Sequence, residues 1–325
     1  MWKCRPATKV RRRSPTSTTG SSRVRSCTSV RHRSARENPH PAARAATSST
    51  SSGAAATFRL AVVRATPAAC GAAGGGGPDE ATNSVTATCA TLGRDLRALG
   101  VESGDILFIH SSFKSLGPVD GGAGTVVAAL EDAVGPDGLV LMPSFSLVPG
   151  DKDLRAAKWD RATTPSTVGW LTEYFRQMPG TVRSDHYSHA VAARGRRAVE
   201  FASGHLSNEG FSSPWDRAPW GKTYGFNSPM YRAYAAGGKM VMLGTDYQTS
   251  TYIHMVEVFH WQRLRSVDPQ CPYPSLKRPE LGAWWDRAGD LQCGKLGRAD
   301  GRLFGIRPYV DALLGEVDRN PEPYT

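Results

Sequence analysis

The chain has 325 residues, of which 40% are apolar, and its formal net charge is +11. This length is sufficient for one large domain or two medium ones. The positive charge is confined to residues 1–78, which contain 14 Lys or Arg and a single acid, Glu37, whereas the rest of the chain has a net charge of −2. Binding to nucleic acid requires a basic face on the folded part, so this distribution argues against nucleic acid as a partner.

The first 82 residues have the composition of a disordered tail, because Ser, Thr, Arg, Ala and Gly dominate and there is little to bury. The same composition is typical of an organelle transit peptide, and it also fits a start codon assigned too far upstream. We expect the folded domain to span residues 83–325. No secretory signal or membrane-spanning run is apparent, which predicts a cytoplasmic protein without a membrane partner. The spacing of the six cysteines favours neither a zinc site nor a disulfide framework.

The first predicted elements of this domain are a helix over residues 86–99, ended by Gly100, and a buried strand over residues 106–110. A loop rich in Ser and Gly follows, and then a helix over residues 125–134 and a strand over residues 139–146. Backbone amides at such a helix start suit a phosphate group or a thioester carbonyl, since both accept several aligned hydrogen bonds. The loop therefore predicts an anion or acyl site.

Farther along the chain, Thr164 or Ser166 is the predicted N-cap of a helix that ends before Pro179. Residues 239–243 are a predicted strand that runs into Gly244, with a helix over residues 252–261 after it. A strand or loop and a closing helix complete the chain. This alternation predicts the α/β class, and no internal repeat is apparent.

A general-base pair is predicted on the helix that follows the strand over residues 239–243. His254 and Glu257 are three residues apart, so they share a helix face, and a carboxylate beside an imidazole orients it and raises its basicity. An exposed helical ion pair is the alternative. The position after a strand and a glycine-containing loop favours the catalytic interpretation, because α/β active sites lie at the carboxyl ends of strands.

Further polar side chains precede an apolar stretch at residues 190–193. Asp185, His186 and His189 there are either a second source of acid and base groups or a polar loop entering a strand. A metal site formed by His254, Glu257 and His260 is a weaker alternative, because the third residue lies about 240° round the helix from the first. No metal is therefore expected, and a metallohydrolase is the least supported function.

Several segments together resemble the aminoglycoside 3-N-acetyltransferase family, whose fold differs from that of the GNAT acetyltransferases. They are, in chain order, IHSSFKSLGPVDGG, VVAALEDAVGPDG, MPSFS, TTPSTVGWL, RSDHYSHAVAARG, GGKMVMLG and TSTYIHMVE. The resemblance covers residues 92–317 and leaves out the tail. It implies a single mixed α/β domain and leaves a homodimer open.

The resemblance also implies acetyl transfer from acetyl-CoA, a co-substrate, to the 3-amino group of an aminoglycoside, and hence antibiotic resistance. Amine activation is then assigned to His254 with Glu257, or alternatively to His189 with Asp185. Acceptor-binding candidates are His186, Glu209 and Asp246. The implied acetyl-CoA site consists of His110, Ser111, Ser112, Lys114, Ser115, Leu116, Gly117, Ser144, Phe145, Thr164, Pro165 and Ser166.

Three positions depart from the pattern of that family. Tyr187 replaces a usual proline, Ala190 a serine and Ser250 a frequent asparagine. These loops border the amine site in the resemblance, so the departures leave a second acceptor class open, an amino sugar of polysaccharide or secondary-metabolite biosynthesis. A third alternative is a protein that binds CoA or an aminoglycoside without turnover.

Overall fold

The structure, a computed structural model, describes residues 86–148 and 150–325. The prediction of a disordered tail lies outside these described residues. The helices, with one short 3-10 turn, are α1 Cys89–Leu99, the turn Phe113–Leu116, α2 Gly122–Val134, α3 Lys152–Ala157, α4 Trp170–Gln177, α5 Ala198–Ala202, α6 Pro229–Ala235, α7 Thr251–Val267, α8 Arg278–Ala288 and α9 Ile306–Arg319. The strands are β1 Ile106–Ser111, β2 Leu139–Pro143, β3 Val182–Arg183, β4 Val191–Gly195, β5 Lys239–Leu243, β6 Gln292–Leu296 and β7 Ala299–Gly305.

These strands form one mixed sheet in the order β3-β4-β2-β1-β5-β7-β6. The three central strands are parallel: β1 pairs with β2 on one side and with β5 on the other. The outer strands are antiparallel to their neighbours. The carboxyl ends of β1, β2 and β5 therefore share one edge of the sheet, where α/β proteins commonly bind ligands.

Alternating side chains of the central strands pack into two cores, one on each face of the sheet. On β1, Leu107 and Ile109 pack with α1 and α2, whereas Phe108 packs with α6, α7 and α9. All three side chains are fully buried. A strand buried on both faces is expected to be continuously apolar, and this explains why residues 106–110 were recognisable in the sequence. Among the described residues, no helix is both long and apolar enough to cross a membrane.

The α/β class, the central strands and the closing helix agree with the predictions, but the start of α4 does not. The helix begins at Trp170, and its N-cap is Gly169 with a φ of 131°. Ser166 lies outside the helix, where its backbone N–H donates to Glu173 Oε2 at 2.6 Å and its hydroxyl pairs with Thr172 Oγ1 at 2.9 Å. The predicted cap at Thr164 or Ser166 is therefore wrong, because Ser166 bonds to side chains of the first turn from a distance.

Gly244 connects β5 to the loop before α7 and is predicted to tolerate no side chain. Its φ is +61°, and a Cβ atom there would overlap the Oγ of Ser115, which donates to Ser112 O at 2.7 Å. We expect Gly244→Ala to lower the free energy of unfolding by about 2–4 kcal/mol, the sum of left-handed strain and steric overlap. Gly237→Ala is the matched control, because Gly237 has a φ of +71° and open space around it. Equal losses in urea unfolding would contradict the overlap.

Candidate active site

Three segments that follow the parallel strands meet at one edge of the sheet. They are residues 111–117 after β1, residues 144–148 after β2 and residues 244–250 after β5. His110 joins the first to the last, because its Nε2 accepts a hydrogen bond from the backbone N–H of Thr251 at 3.3 Å. Burial lowers the pKa of His110 to about 3, so the ring is neutral and can accept. His110 thus ties β1 to the start of α7.

The side chains of His254 and Glu257 are bonded to each other on α7. His254 Nδ1 lies 2.6 Å from Glu257 Oε2, and Glu257 is only 1% exposed. The same carboxylate accepts from the hydroxyl of Tyr273 at 2.9 Å and from the backbone N–H of Leu276 at 2.9 Å. The alternative of an exposed ion pair is therefore wrong. With Nδ1 donating to the carboxylate, the Nε2 of His254 carries the lone pair, and this side chain remains 18% exposed.

The indole of Trp215 contacts both candidate bases. Its ring centroid lies 5.0 Å from that of His254 and 5.0 Å from that of His189. Phe145 packs against His189 at 4.8 Å, and the hydroxyl of Ser188 bonds its Nδ1 at 2.8 Å. His189 is 2% exposed, and burial, with a smaller effect of His254, holds its pKa well below the usual range. His254 is the more accessible of the two imidazoles.

The carboxylate of Asp185 pairs with two indoles. Its Oδ1 accepts from Trp159 Nε1 at 2.8 Å and from Trp220 Nε1 at 3.3 Å. His189 is bonded instead to a serine hydroxyl, so the expected pairing of Asp185 with His189 is not formed. Asp185 holds two tryptophans at the edge of the site.

His186 has a structural position that the sequence did not indicate. It is fully buried, and its Nδ1 accepts from the backbone N–H groups of Ser188 at 3.3 Å and His189 at 3.1 Å. Its Nε2 pairs with Thr223 Oγ1 at 3.2 Å. Because both ring nitrogens are used inside the protein, His186 has none left for an acceptor. Its expected role in acceptor binding is corrected to that of positioning the turn that carries His189.

The other two acceptor-binding candidates are exposed and engaged separately. Glu209 accepts from the side-chain amide of Asn227 at 3.2 Å, next to the start of α6. Asp246 accepts from the backbone N–H of Gln248 at 3.1 Å and so caps the short turn before α7. Neither contact brings these carboxylates to the imidazole of His254.

The loop after β1 is held in a compact turn. Ser112 donates its backbone N–H to Leu243 O at 2.8 Å, and its own carbonyl accepts from the N–H of Ser115 at 3.1 Å. Leu116 is buried, and Gly117 reverses the chain with a φ of 77°. Lys114 is exposed on this turn. The turn presents polar atoms while its apolar residue anchors it to the core.

Three buried hydroxyls at this edge have no hydrogen-bond partner among the described residues. They belong to Ser111 at the end of β1, Ser144 after β2 and Thr245 after β5. A buried hydroxyl without a partner is costly, so these groups are available to a bound molecule. Thr245 was not among the sequence candidates; its position one residue beyond the Gly244 that ends a buried strand was the available signal.

The segment with Thr164, Pro165 and Ser166 lies beside the end of β2. Phe145 O accepts from the backbone N–H of Thr167 at 2.8 Å, and Arg183 links Thr164 O, at 2.6 Å, with Ser144 O, at 2.7 Å. Next to this segment is a cavity of about 380 Å³, lined by Ser146, Val148, Gly150, Asp151, Leu154, Arg155, Lys158, Thr164, Pro165 and Thr167. The structure thus brings together the two segments that the sequence singled out separately.

His260, the third member of the metal alternative, is directed elsewhere. Its Nδ1 bonds Asp318 Oδ1 on α9 at 2.7 Å. The two carboxylate-bonded histidines of α7 therefore belong to different environments.

The buried histidines are expected to make stability depend on pH. Burial lowers the pKa of His205 to about 4, and its ring bonds Ser184 Oγ at 3.0 Å and Thr223 O at 3.2 Å. The unfolded chain takes up a proton near pH 6.5, while the folded protein does so only near pH 4, so stability falls as pH falls through that window. We expect His205→Asn to reduce this slope by up to about 1.4 kcal/mol per pH unit in urea unfolding. An unchanged slope would contradict a neutral His205.

Comparison with known proteins identifies the family. The aminoglycoside 3-N-acetyltransferase family matches residues 108–314. Aminoglycoside N(3)-acetyltransferase III of Salmonella sp. is 35% identical over 239 residues, which are 67% of this chain and 77% of that protein. The structure of YokD from Bacillus subtilis superposes with a TM-score of 0.60 at 25% identity, covering 73% of this chain and 96% of YokD.

The aminoglycoside acetyltransferase AAC(3)-IVa gives a similar superposition. Its apoenzyme has a TM-score of 0.60 and 27% identity, with 74% of this chain and 91% of that chain covered. A mutant of AAC(3)-IVa was solved in complex with a gentamicin and superposes with a TM-score of 0.59 at 25% identity, covering 74% and 92% of the two chains. The sequence match and the shared fold show that this chain belongs to the aminoglycoside 3-N-acetyltransferase family.

Proposed function

We propose that this protein transfers the acetyl group of acetyl-CoA to a primary amine, in the first place the 3-amino group of an aminoglycoside, and so confers resistance. The observation that carries the proposal is the orientation of His254 by the buried carboxylate of Glu257. Family membership supports the reaction class, and a mutant of the relative AAC(3)-IVa binds a gentamicin. The acceptor is accordingly a small molecule with an amine.

The residues at the edge of the sheet fit acetyl-CoA. The free hydroxyls of Ser111, Ser144 and Thr245 are donors that a thioester or amide carbonyl accepts, and each lies at the end of a parallel strand. The turn of residues 113–116 and the segment with Thr164 to Ser166 complete this half of the site. When bound, acetyl-CoA supplies the acetyl group as a reactive thioester; the protein supplies orientation and hydrogen bonds.

His254 performs the proton transfer in this proposal. A primary amine is protonated at neutral pH and attacks a carbonyl only after losing a proton, so a base must be within reach. The Nε2 of His254 accepts that proton, and the Glu257 carboxylate at Nδ1 stabilises the resulting imidazolium. Trp215 packs against the imidazole and limits its movement. His189, which is more buried, positions this packing.

Substitution of the pair tests the assignment. We expect His254→Ala to lower kcat by about 10²–10⁴-fold, the usual contribution of a general base, with a smaller loss for Glu257→Gln. The assay follows thiol release from acetyl-CoA in the presence of an aminoglycoside. His260→Asn is the matched control, because His260 lies on the same helix and also bonds a carboxylate. Unchanged turnover in His254→Ala would contradict the assigned role, and CoA binding without turnover by the unsubstituted protein would select the non-catalytic alternative.

Charges beside the site favour a second candidate acceptor, an amino sugar with few positive charges. Lys152 donates to Pro214 O at 3.3 Å, next to Trp215, and Arg155 donates to Ser146 O at 3.3 Å. Neither cation has an ion-pair partner within the described part of the chain. Polycationic aminoglycosides are attracted by unpaired carboxylates, whereas these cations repel them.

A panel of acceptors separates the two candidates. If the amino sugar is the natural acceptor, we expect kcat/KM to be higher for a nucleotide-linked amino sugar than for any aminoglycoside, with the difference decreasing as salt is raised. Lys152→Gln should then improve kcat/KM for aminoglycosides several-fold, because it removes a repelling charge. Turnover of aminoglycosides alone, unaffected by Lys152→Gln, would exclude the amino-sugar acceptor.

A further inference from the structure

Three aromatic rings form an exposed group beside the turn of residues 113–116. The ring centroids of Phe113 and Trp170 lie 4.9 Å apart, and those of Trp170 and Tyr174 lie 5.7 Å apart with an interplanar angle of 31°. Trp170 is 58% exposed and Tyr174 is 38% exposed, although both are large apolar side chains. We call these three residues the aromatic platform. No part of the amine chemistry described above uses it.

The platform is fixed to the elements that surround the co-substrate loop. Phe113 belongs to the loop itself and packs against the core beneath it. The hydroxyl of Tyr174 lies over the first turn of α2, where a Cβ atom built on Gly124 would be 3.1 Å from it. A Cβ atom built on Gly169, next to Trp170, would be 3.9 Å from the carbonyl oxygen of Ser111. The exposed indole therefore borders the end of β1 and has a defined position.

Two cations flank the same turn. Lys114 follows Phe113 directly and is exposed. Arg298 lies at the other end of the turn, where its backbone N–H donates to Leu116 O at 3.1 Å and its side chain packs over Gly117. Neither side chain forms an ion pair with a described residue. An exposed aromatic surface between two unpaired cations is complementary to a planar ring that carries phosphates.

We propose that the aromatic platform, with Lys114 and Arg298, binds the phosphorylated adenosine portion of acetyl-CoA. The adenine ring stacks on Trp170, while the two cations neutralise phosphate groups. This inference rests on the proposed function, because it assigns a second, separate contact region to the same co-substrate. It makes the phosphorylated nucleotide, and not only the thioester end, a determinant of donor affinity.

The alternatives for this surface fit less well. An aminoglycoside has no aromatic ring and would be repelled by Lys114 and Arg298. A second copy of the chain would have to bury two unpaired cations at its interface, which costs free energy unless the partner neutralises them. Phosphorylated adenosine uses both features of the surface at once.

The test measures binding by calorimetry on the full chain, with CoA, 3′-dephospho-CoA and pantetheine as ligands. Trp170→Ala is expected to raise the Kd for CoA by about 5- to 150-fold, the range for loss of one stacked base, and to leave the Kd for pantetheine unchanged. Trp170→Phe should retain most of the affinity. Lys114→Met and Arg298→Met should each weaken CoA and reduce the salt dependence of its binding.

Phe226→Ala is the control, because Phe226 is an aromatic residue with 46% exposure that packs in a different group, with Phe211 and Tyr231. An unchanged Kd for CoA in Trp170→Ala, or an equal loss for CoA and pantetheine, would overturn the inference. Dissociation of a dimer by Trp170→Ala, measured by sedimentation without a change in CoA affinity, would assign the platform to a second copy instead. Failure of the unsubstituted protein to bind CoA at all would refute the proposed function itself.

Discussion

The buried carboxylate of Glu257 is the constraint on which the rest of the site depends. A carboxylate that is 1% exposed loses its hydration, at a cost on the order of several kcal/mol, and must recover it through hydrogen bonds. Glu257 does so with three donors: the imidazole of His254, the hydroxyl of Tyr273 and the backbone N–H of Leu276. The orientation of His254 follows, because its Nδ1 is one of the donors that the carboxylate requires.

The parallel strands place this pair opposite the hydroxyls of the other half-site. Ser111, Ser144 and Thr245 each follow one of the strands β1, β2 and β5, so their positions are set by the sheet. His110 bonds the first residue of α7 and couples the end of β1 to the helix that carries the base. Groups held by adjoining strands and one helix keep a more constant geometry than groups on separate loops, and this favours both positioning and specificity.

Local patterns in the sequence predicted the elements that depend on local physics. The strand over residues 239–243 is apolar because both faces are buried, and His254 and Glu257 share a face because they are three residues apart. The partners of those residues come from distant segments and have no local signal. Tyr273 lies 16 residues beyond Glu257, and Trp215 reaches His254 from a loop before α6.

The errors have the same origin. Asp185 and His189 are close in sequence, which suggested a pair, but tertiary packing gives Asp185 to two indoles and His189 to a serine hydroxyl. His186 is polar and lies among candidate residues, yet it is fully buried and bonded within its own turn. Residue type indicates the available chemistry, while the side-chain environment decides whether a ligand can use it.

The tautomer of His254 is the most direct test of this account. Nitrogen-15 NMR of the imidazole, at a pH where the ring is neutral, distinguishes a proton on Nδ1 from one on Nε2. A proton on Nδ1, with Nε2 unprotonated, is the result that a donor to Glu257 requires. A neutral ring protonated on Nε2 would show that the buried carboxylate does not set the orientation of the base, and would contradict the central claim.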